Sequence, residues 1–363
     1  VTPLDRLFME RAYELAARGI GNTAPNPPVG AVIVRDGRII GEGYHHRAGL
    51  AHAEANALAH ARDARGATAY VTLEPCNHVG RTPACSRALV AAGVTRVVIG
   101  TVDPNPKTNG AGIATLRDAG IDVDVLDDPR ASALIERFAF AIAHDRPYVA
   151  LKMAMSLDGR ITSRPGVQEW ITSEAERQYV RGLRIAYDAV MVGAGTVRVD
   201  DPQLTVRPPS HRVRPYTRVI ACETDTVPET SRVFMETTDY ARTIVLAPGG
   251  VRGRFMNLQN VAEVVFVGTG ERLDLAAAMR ALRAHGIQSV LCEGGPTLGA
   301  RLLAAGVVER VYWAIAPVLL TTPDAVAVLA GADLATLRLG LRFDGVEMVG
   351  GDVVISARVE RRV

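Results

Sequence analysis

His52-Ala53-Glu54 opens, and Pro75-Cys76-Asn77-His78-Val79-Gly80-Arg81-Thr82-Pro83-Ala84-Cys85 closes, the stretch whose reading decides the fold of the first half of this chain. One imidazole and two thiols form a zinc ligand set that leaves the fourth tetrahedral position to water, as in catalytic rather than structural sites. Glu54 stands next to the histidine, where a carboxylate can carry the proton of such a water. The surrounding pattern places the ligands on elements. Residues 53–65 are alanine-rich and read as a helix with His52 at its start, 69–73 read as a strand leading to Cys76, and 85–92 read as a helix closed by Gly93. A lone cysteine is ordinarily a small buried hydrophobe. Here the conjunction of His-x-Glu, strand, Cys76 and a helix starting at Cys85 points to a metal, and that helix start favours the thiolate of Cys85. Positions 52 and 54 lie about 200° apart on a regular helix, so periodicity alone does not aim both at one ion. His78 is set aside, because three ligands and a water complete the tetrahedron.

Working outward, residues 5–18 read as a helix with Asp5 as its N-cap and Gly19 beyond its end. The proline-rich 23–28 cannot be helical, and 29–34 and 38–43 read as strands about a turn at Asp36-Gly37. A strand at 95–100, a loop at 103–107 and a helix at 129–143 follow, so the order is that of an α/β domain covering 1–146. The pattern then restarts for a second domain, 147–363. Apolar strands at 148–155, 189–192, 218–221, 243–246, 264–267, 289–291 and 311–315 accompany helices at 173–184, 274–285 and 297–305, and 342–349 with 353–359 form a hairpin about Gly350-Gly351-Asp352. In Ser289-Val290-Leu291-Cys292-Glu293-Gly294-Gly295-Pro296-Thr297-Leu298 a strand meets two glycines and then a helix, whose first N–H groups can face a phosphate. It is not a G-x-G-x-x-G fingerprint, so a standard dinucleotide fold is not supported. Gly193 and Gly195 allow a second close approach of a ligand to the main chain.

A chain of 363 residues suggests two domains. Its net charge of +2 gives no footprint for nucleic acid, and no apolar run approaches the roughly 20 residues of a membrane helix. The first residues lack the features of a secretory signal. Cys222 and Cys292 are isolated, which fits a reducing compartment better than a disulfide framework. The expectation is a cytoplasmic enzyme with a small-molecule substrate, no nucleic acid and no membrane.

The H-x-E…P-C pattern is similar to that of the zinc deaminases, except that eight residues separate the cysteines where the commoner form has two. Thr23-x-Pro25-Asn26-Pro27-x-Val29-Gly30, Gly43-Tyr44-His45, Gly49-x-x-His52-Ala53-Glu54, Pro75-Cys76-x-x-x-Gly80-Arg81-Thr82-Pro83-x-Cys85 and Asp103-Pro104-Asn105-Pro106 occur in order. Together they resemble the bifunctional deaminase/reductase family of riboflavin biosynthesis. Leu151-Lys152-Met153-Ala154-x-Ser156-Leu157-Asp158-Gly159-Arg160, Trp170-Ile171-Thr172, Gly193-x-Gly195-Thr196-Val197, Asp200-Asp201-Pro202-x-Leu204-Thr205-Val206-Arg207 and Glu293-Gly294-Gly295-Pro296-Thr297 extend the resemblance into the second half. It implies an N-terminal cytidine-deaminase-like three-layer domain and a C-terminal dihydrofolate-reductase-like domain, in a homo-oligomer (dimer or tetramer). One zinc ion would be held by His52, Cys76 and Cys85, with Glu54 moving the proton, and a 2,5-diamino-6-ribosylamino-4(3H)-pyrimidinone 5′-phosphate would be deaminated. Asn26 and His45 would contact the base, and Arg81, Asp103 and Asn105 the ribose and phosphate.

The second domain would use NADPH to reduce the ribosyl to a ribityl chain. By the same resemblance Ala154, Trp170, Thr196, Asp200, Gly295, Pro296, Thr297 and Leu298 line the cofactor site. Gln168, Arg184, Leu204, Arg207 and Glu293 hold the substrate. Arg184 and Arg207 suit its phosphate by their forked donors, and Lys152 reaches the same group. Cys222-Glu223 stands where the family commonly has Asp-Ser, and a carboxylate there would repel a cofactor phosphate. Two other readings compete: a zinc deaminase of another base, nucleoside or tRNA with a regulatory C-terminal domain, and a nucleotide sensor with a structural metal. Near-neutral charge argues against the tRNA, and Glu54 against the sensor, since a structural site has no use for a carboxylate outside the ligand set.

Overall fold

Successive residues of a strand point to opposite faces, and in the first half both faces are apolar, which dictates a sheet covered by helices on each side. The computed structural model describes residues 1–77, 84–206, 212–214, 216–235, 242–331 and 338–360, and the chain divides into two units, Val1–His144 and Asp145–Val363. In the first unit β1 (Gly30–Arg35), β2 (Arg38–Tyr44), β3 (Thr68–Val71), β4 (Arg96–Ile99) and β5 (Asp122–Val125) form a sheet in the order β2-β1-β3-β4-β5. β1 runs antiparallel to β2 and β3, and the remaining pairs are parallel. Ala31, Ile33, Val71, Val97 and Ile99 pack against α2 (Ala53–Ala61), α3 (Cys85–Ala91) and α4 (Ala111–Asp118). Val32, Val34, Tyr70 and Val98 pack against α1 (Pro3–Ala17) and α5 (Pro129–Leu134), and α6 (Glu136–Ala143) ends the unit. Gly43 on β2 lets α2 approach, since a Cβ there would lie 2.5 Å from the Ala53 carbonyl oxygen. That contact brings the start of α2, and His52 with it, onto the sheet.

Several boundaries differ from the sequence reading for identifiable reasons. Thr2, not Asp5, is the N-cap of α1: its hydroxyl accepts from the Asp5 N–H at 3.2 Å, and Asp5 accepts from the Thr2 N–H at 2.6 Å, a capping box. Asp5 then also accepts from Tyr70 Oη and Arg96 Nη1, both at 2.7 Å. The Arg96 guanidinium holds this buried carboxyl well below the usual carboxylate range. One side chain thus ties α1 to β3 and β4. α2 stops at Ala61 because Arg62 adopts φ 59°, and the helix expected over 129–143 breaks at Ile135, whose ψ is 6°. α4 and β5 have no counterpart in the sequence reading; β5 was missed because Asp-Val-Asp-Val at a sheet edge carries no apolar run.

The second unit contains β6 (Tyr148–Ser156), β7 (Arg160–Thr162), β8 (Ala189–Gly193), β9 (Thr217–Ala221), β10 (Arg242–Pro248), β11 (Glu263–Val267), β12 (Ser289–Cys292), β13 (Arg310–Ala316), β14 (Val326–Ala327), β15 (Gly340–Val349) and β16 (Asp352–Glu360). Its helices are α7 (Glu174–Ile185), α8 (Ala194–Asp200), α9 (Leu275–Ala284) and α10 (Pro296–Ala304). The main sheet has the order β11-β10-β9-β8-β12-β6-β13-β16-β15, parallel from β11 to β13 and antiparallel in the closing hairpin. The parallel strands are continuous apolar runs because both faces are covered. Leu151, Met191, Leu246 and Cys292 meet α9 and α10, while Val190, Val192, Ile220 and Val245 meet Val197 of α8. The strand read at 189–192 extends to Gly193, and the chain turns directly into α8 from Ala194. Among the described residues no helix is long and apolar enough to cross a membrane.

Candidate functional site

His52 is the N-cap of α2, with φ −73° and ψ 166°. Its extended backbone removes the helical-wheel objection, since the 100° step begins only after it, and Glu54 lies in the first helical turn. His52 Nδ1 is 3.5 Å from Cys76 Sγ and 3.4 Å from Cys85 Sγ, and the three ligand atoms lie within 4.8 Å of one another. A tetrahedron with bonds of about 2.3 Å to sulfur and about 2.0 Å to nitrogen places N and S about 3.5 Å apart, so the residues present fit a zinc ion. Among the described residues no other His, Cys, Asp or Glu group has this form.

The start of α3 also acts on the second thiol of the set. The Cys85 N–H donates to Cys76 Sγ at 3.4 Å, and Cys76 is the thiol drawn down, by the Cys85 thiol first and then by His52 and this N–H. Burial pushes the Glu54 carboxyl up to about 7, with Cys76 adding to the effect. A carboxyl in that range can both accept and release a proton at neutral pH.

A cavity of about 530 Å³ opens over these groups, lined by Asn26, His45, His52, Glu54, Cys76, Asp103 and Asn105. His45 Nδ1 is 3.0 Å from the Ala51 carbonyl oxygen and Nε2 is 3.1 Å from Asn26 Nδ2. Burial favours the neutral ring, so Nδ1 donates to the carbonyl and Nε2 accepts from Asn26, which leaves Asn26 Oδ1 as an acceptor for a ligand. Arg81 lies outside the described residues.

In the second unit a cavity of about 820 Å³ sits at the C-terminal ends of the parallel strands, where α/β sheets bind ligands. Lys152, Ala154, Gln168, Trp170, Arg184, Thr196, Asp200, Leu204, Glu293, Gly295, Pro296, Thr297 and Leu298 all line it; Arg207 lies outside the described residues. Gly294 and Gly295, at φ 94° and 77°, turn β12 into α10 with its N-terminus at the cavity. Leu204 enters at φ 53°, a conformation that a γ-branched residue rarely adopts.

Of the three cations of this domain expected to meet a phosphate, the two described ones, Arg184 and Lys152, are paired with carboxylates. The Arg184 fork is turned onto Glu293, with Nε–Oε1 at 2.5 Å and Nη2–Oε2 at 2.6 Å, and Nη1 donates to the Thr205 carbonyl at 2.8 Å. Lys152 Nζ lies 2.8 Å from Glu176, a buried carboxylate that also accepts from Thr172 Oγ1 at 2.8 Å. A charge placed in low dielectric takes the nearest opposite charge, and sequence spacing could not show that these pairs meet. Burial pushes the thiols of Cys222 and Cys292 up to about 12, which removes both from nucleophilic chemistry.

The profile "RibD C-terminal domain" matches residues 147–355, and "Cytidine and deoxycytidylate deaminase zinc-binding region" matches residues 3–101. The chain is 38% identical to riboflavin biosynthesis protein RibD of Aquifex aeolicus (strain VF5) over 358 residues, 98% of each protein. The chain belongs to the RibD family. The solved RibD of Acinetobacter baumannii (form 1) superposes with a TM-score of 0.84 at 36% identity, covering 99% of both chains. A Thermotoga maritima structure, described as a diaminohydroxyphosphoribosylaminopyrimidine deaminase/5-amino-6-(5-phosphoribosylamino)uracil reductase, gives 0.83 at 35% identity over 98% of this chain and 99% of that one. A RibD chain therefore carries a zinc-binding deaminase region followed by a reductase domain, which implies a nicotinamide cofactor.

Within the RibD deaminase cavity, sequence reasoning passed over Glu74. It lines the cavity, is buried, and accepts from the backbone N–H groups of Asp103, Gly110, Gly112 and Ile113 at 2.9–3.2 Å. Those bonds hold the loop carrying Asp103 and Asn105 against β3. Its one sequence signal, a carboxylate between Leu73 and Pro75 at the end of an apolar strand, could have been taken as a buried charge needing partners.

Proposed function

We propose that this chain is a bifunctional enzyme of riboflavin biosynthesis, with the deaminase in residues 1–146 and the reductase in 147–363. The first site removes an amino group from the 2,5-diamino-6-ribosylamino-4(3H)-pyrimidinone 5′-phosphate, and the second reduces the ribosyl to a ribityl chain. The observation that carries the reading is the His52–Cys76–Cys85 cluster with buried Glu54 on the floor of a cavity whose polar rim suits a heterocycle.

Zinc held by the three ligands supplies the Lewis acidity that makes water nucleophilic at neutral pH. Glu54 takes a proton from the attacking water at its carboxylate and delivers it to the departing amine, so water and the amino compound become carbonyl and ammonia. Asn26, fixed by His45, orients the ring through Oδ1, and Asp103 and Asn105 hold the ribose. In the second unit NADPH supplies a hydride when bound. Trp170, Ala154, Thr196, Asp200 and the start of α10 form its site. Glu293, oriented by Arg184, and Lys152, oriented by Glu176, face the sugar with Gln168 and Leu204.

The test combines chelation with each half reaction. Removing the metal is expected to abolish ammonia release while NADPH oxidation persists on substrate that is already deaminated. Loss of both activities on chelation would contradict two separate sites.

The reading includes a cytoplasmic homo-oligomer. β15 is an edge strand on which Phe343, Val346 and Met348 are each more than 60% exposed, a surface that proteins cover or charge to avoid indiscriminate pairing. Light scattering is expected to give a dimer or tetramer, and Val346→Glu with Met348→Glu to shift it toward monomer. A monomeric parent chain would sink this part of the reading.

A further inference from the structure

The strand order lays out the larger cavity like a ruler. Lys152 and Ala154 lie on β6, Gly295 follows β12, Thr196 follows β8 and Glu223 follows β9. Three strand spacings of about 4.8 Å separate β6 from β9, about 14 Å in all. That is the scale of a dinucleotide, and one lying across the strand ends would be held by residues of β6, the start of α10 and the segment after β9, which carries Glu223.

Glu223 lines this cavity together with Arg198 and Asp225. Its carboxylate is ion-paired with Arg301 of α10 and lies 3.8 Å from Arg272. Neither arginine is among the described residues that line the cavity, and Arg301 is further anchored by donating to the Leu273 carbonyl at 3.0 Å. Arg198 is paired with Asp225 at 2.9 Å. Glu223 and Asp225 are therefore each met by arginine, and Arg232 adds a further cation to the same lining, so the simple repulsion of a cofactor phosphate expected from Glu223 does not follow.

A carboxylate beside an adenosine ribose accepts from its 2′-hydroxyl, whereas a 2′-phosphate is received by arginine. Glu223 acts on both sides of that choice. It offers an acceptor to the hydroxyl, and it keeps Arg301 and Arg272 on itself and out of the cavity. We propose that Glu223 sets the cofactor preference of the reductase site, so that the unphosphorylated dinucleotide competes with the phosphorylated one. The inference rests on the reading of this cavity as the nicotinamide-cofactor site.

Calorimetric titration of the full chain with NADP⁺ and NAD⁺ tests it without turnover. The parent chain is expected to bind both within tenfold of each other. Glu223→Gln releases the arginines and removes the charged acceptor, so NADP⁺ tightens and NAD⁺ weakens, shifting their ratio at least tenfold. Glu223→Ser, with a smaller side chain, shifts it in the same direction. A parent preference above tenfold for NADP⁺, or an unchanged ratio in both variants while both dinucleotides bind, overturns the role of Glu223 and leaves the cofactor site standing. Failure of the parent chain to bind either dinucleotide overturns the cofactor reading, and this inference with it.

Discussion

Glu54→Gln is expected to lower ammonia release by roughly 10²–10⁴-fold, the range that a positioned acid–base group contributes, while zinc stays at one per chain by metal analysis. The amide keeps the size of the side chain and is not among the three ligand-bearing residues, so the His52–Cys76–Cys85 cluster remains intact. What it loses is the ability to take a proton and return it. The side chain is buried at the floor of the cavity, which leaves little room for bulk water to substitute. NADPH oxidation on deaminated substrate should be unchanged, because every residue lining the second cavity comes from the second unit. Retention of full deaminase rate with zinc in place would show that the proton travels another way.

The second large effect is expected at Arg184. Arg184→Met leaves the Glu293 carboxylate without its bidentate partner in a site where both side chains are less than 15% exposed, and breaking such a pair costs about 3–5 kcal/mol. Reduction should fall by about 10²-fold or more, since a displaced carboxylate no longer orients the sugar, while ammonia release continues. Both tryptophans, Trp170 and Trp313, belong to the second unit, so fluorescence-monitored urea unfolding reads this unit alone. Replacing both partners, Arg184→Met with Glu293→Met, should recover most of the stability, because an apolar pair carries no buried charge, and should recover none of the reduction. A single variant that costs under about 1 kcal/mol would place the pair in an effectively aqueous setting and undo the argument for its orienting role.

Much of the fold was legible because it rests on patterns of burial. The seven apolar runs of the second half are strands in the structure because a doubly covered parallel sheet leaves no polar face to interrupt them. The Asp36-Gly37 turn was legible for a local reason, since both residues need positive φ, observed at 52° and 71°. β5 was not legible, because a short edge strand needs only backbone pairing and one half-covered face. Asp5 was misplaced for a related reason. A carboxylate near a helix start reads as a cap, but whether it caps or serves a neighbour depends on what folds beside it, here Tyr70 and Arg96.

The sites divide along the same line. By itself the sequence determined the chemistry of the first one: His52, Cys76 and Cys85 with Glu54 are donor types that leave few alternatives, and their unusual spacing narrowed the family. The family resemblance carried by its motifs also named a group of the residues that line the second cavity. Only the tertiary structure decided how the charges there are paired. Arg184 with Glu293, Lys152 with Glu176, and Glu223 with Arg301 are each separated by 24 to more than 100 positions in the chain. Donor type is a property of a residue and survives in one dimension. Coulomb pairing falls with distance in space, so which charge neutralises which is fixed only when the strands lie side by side.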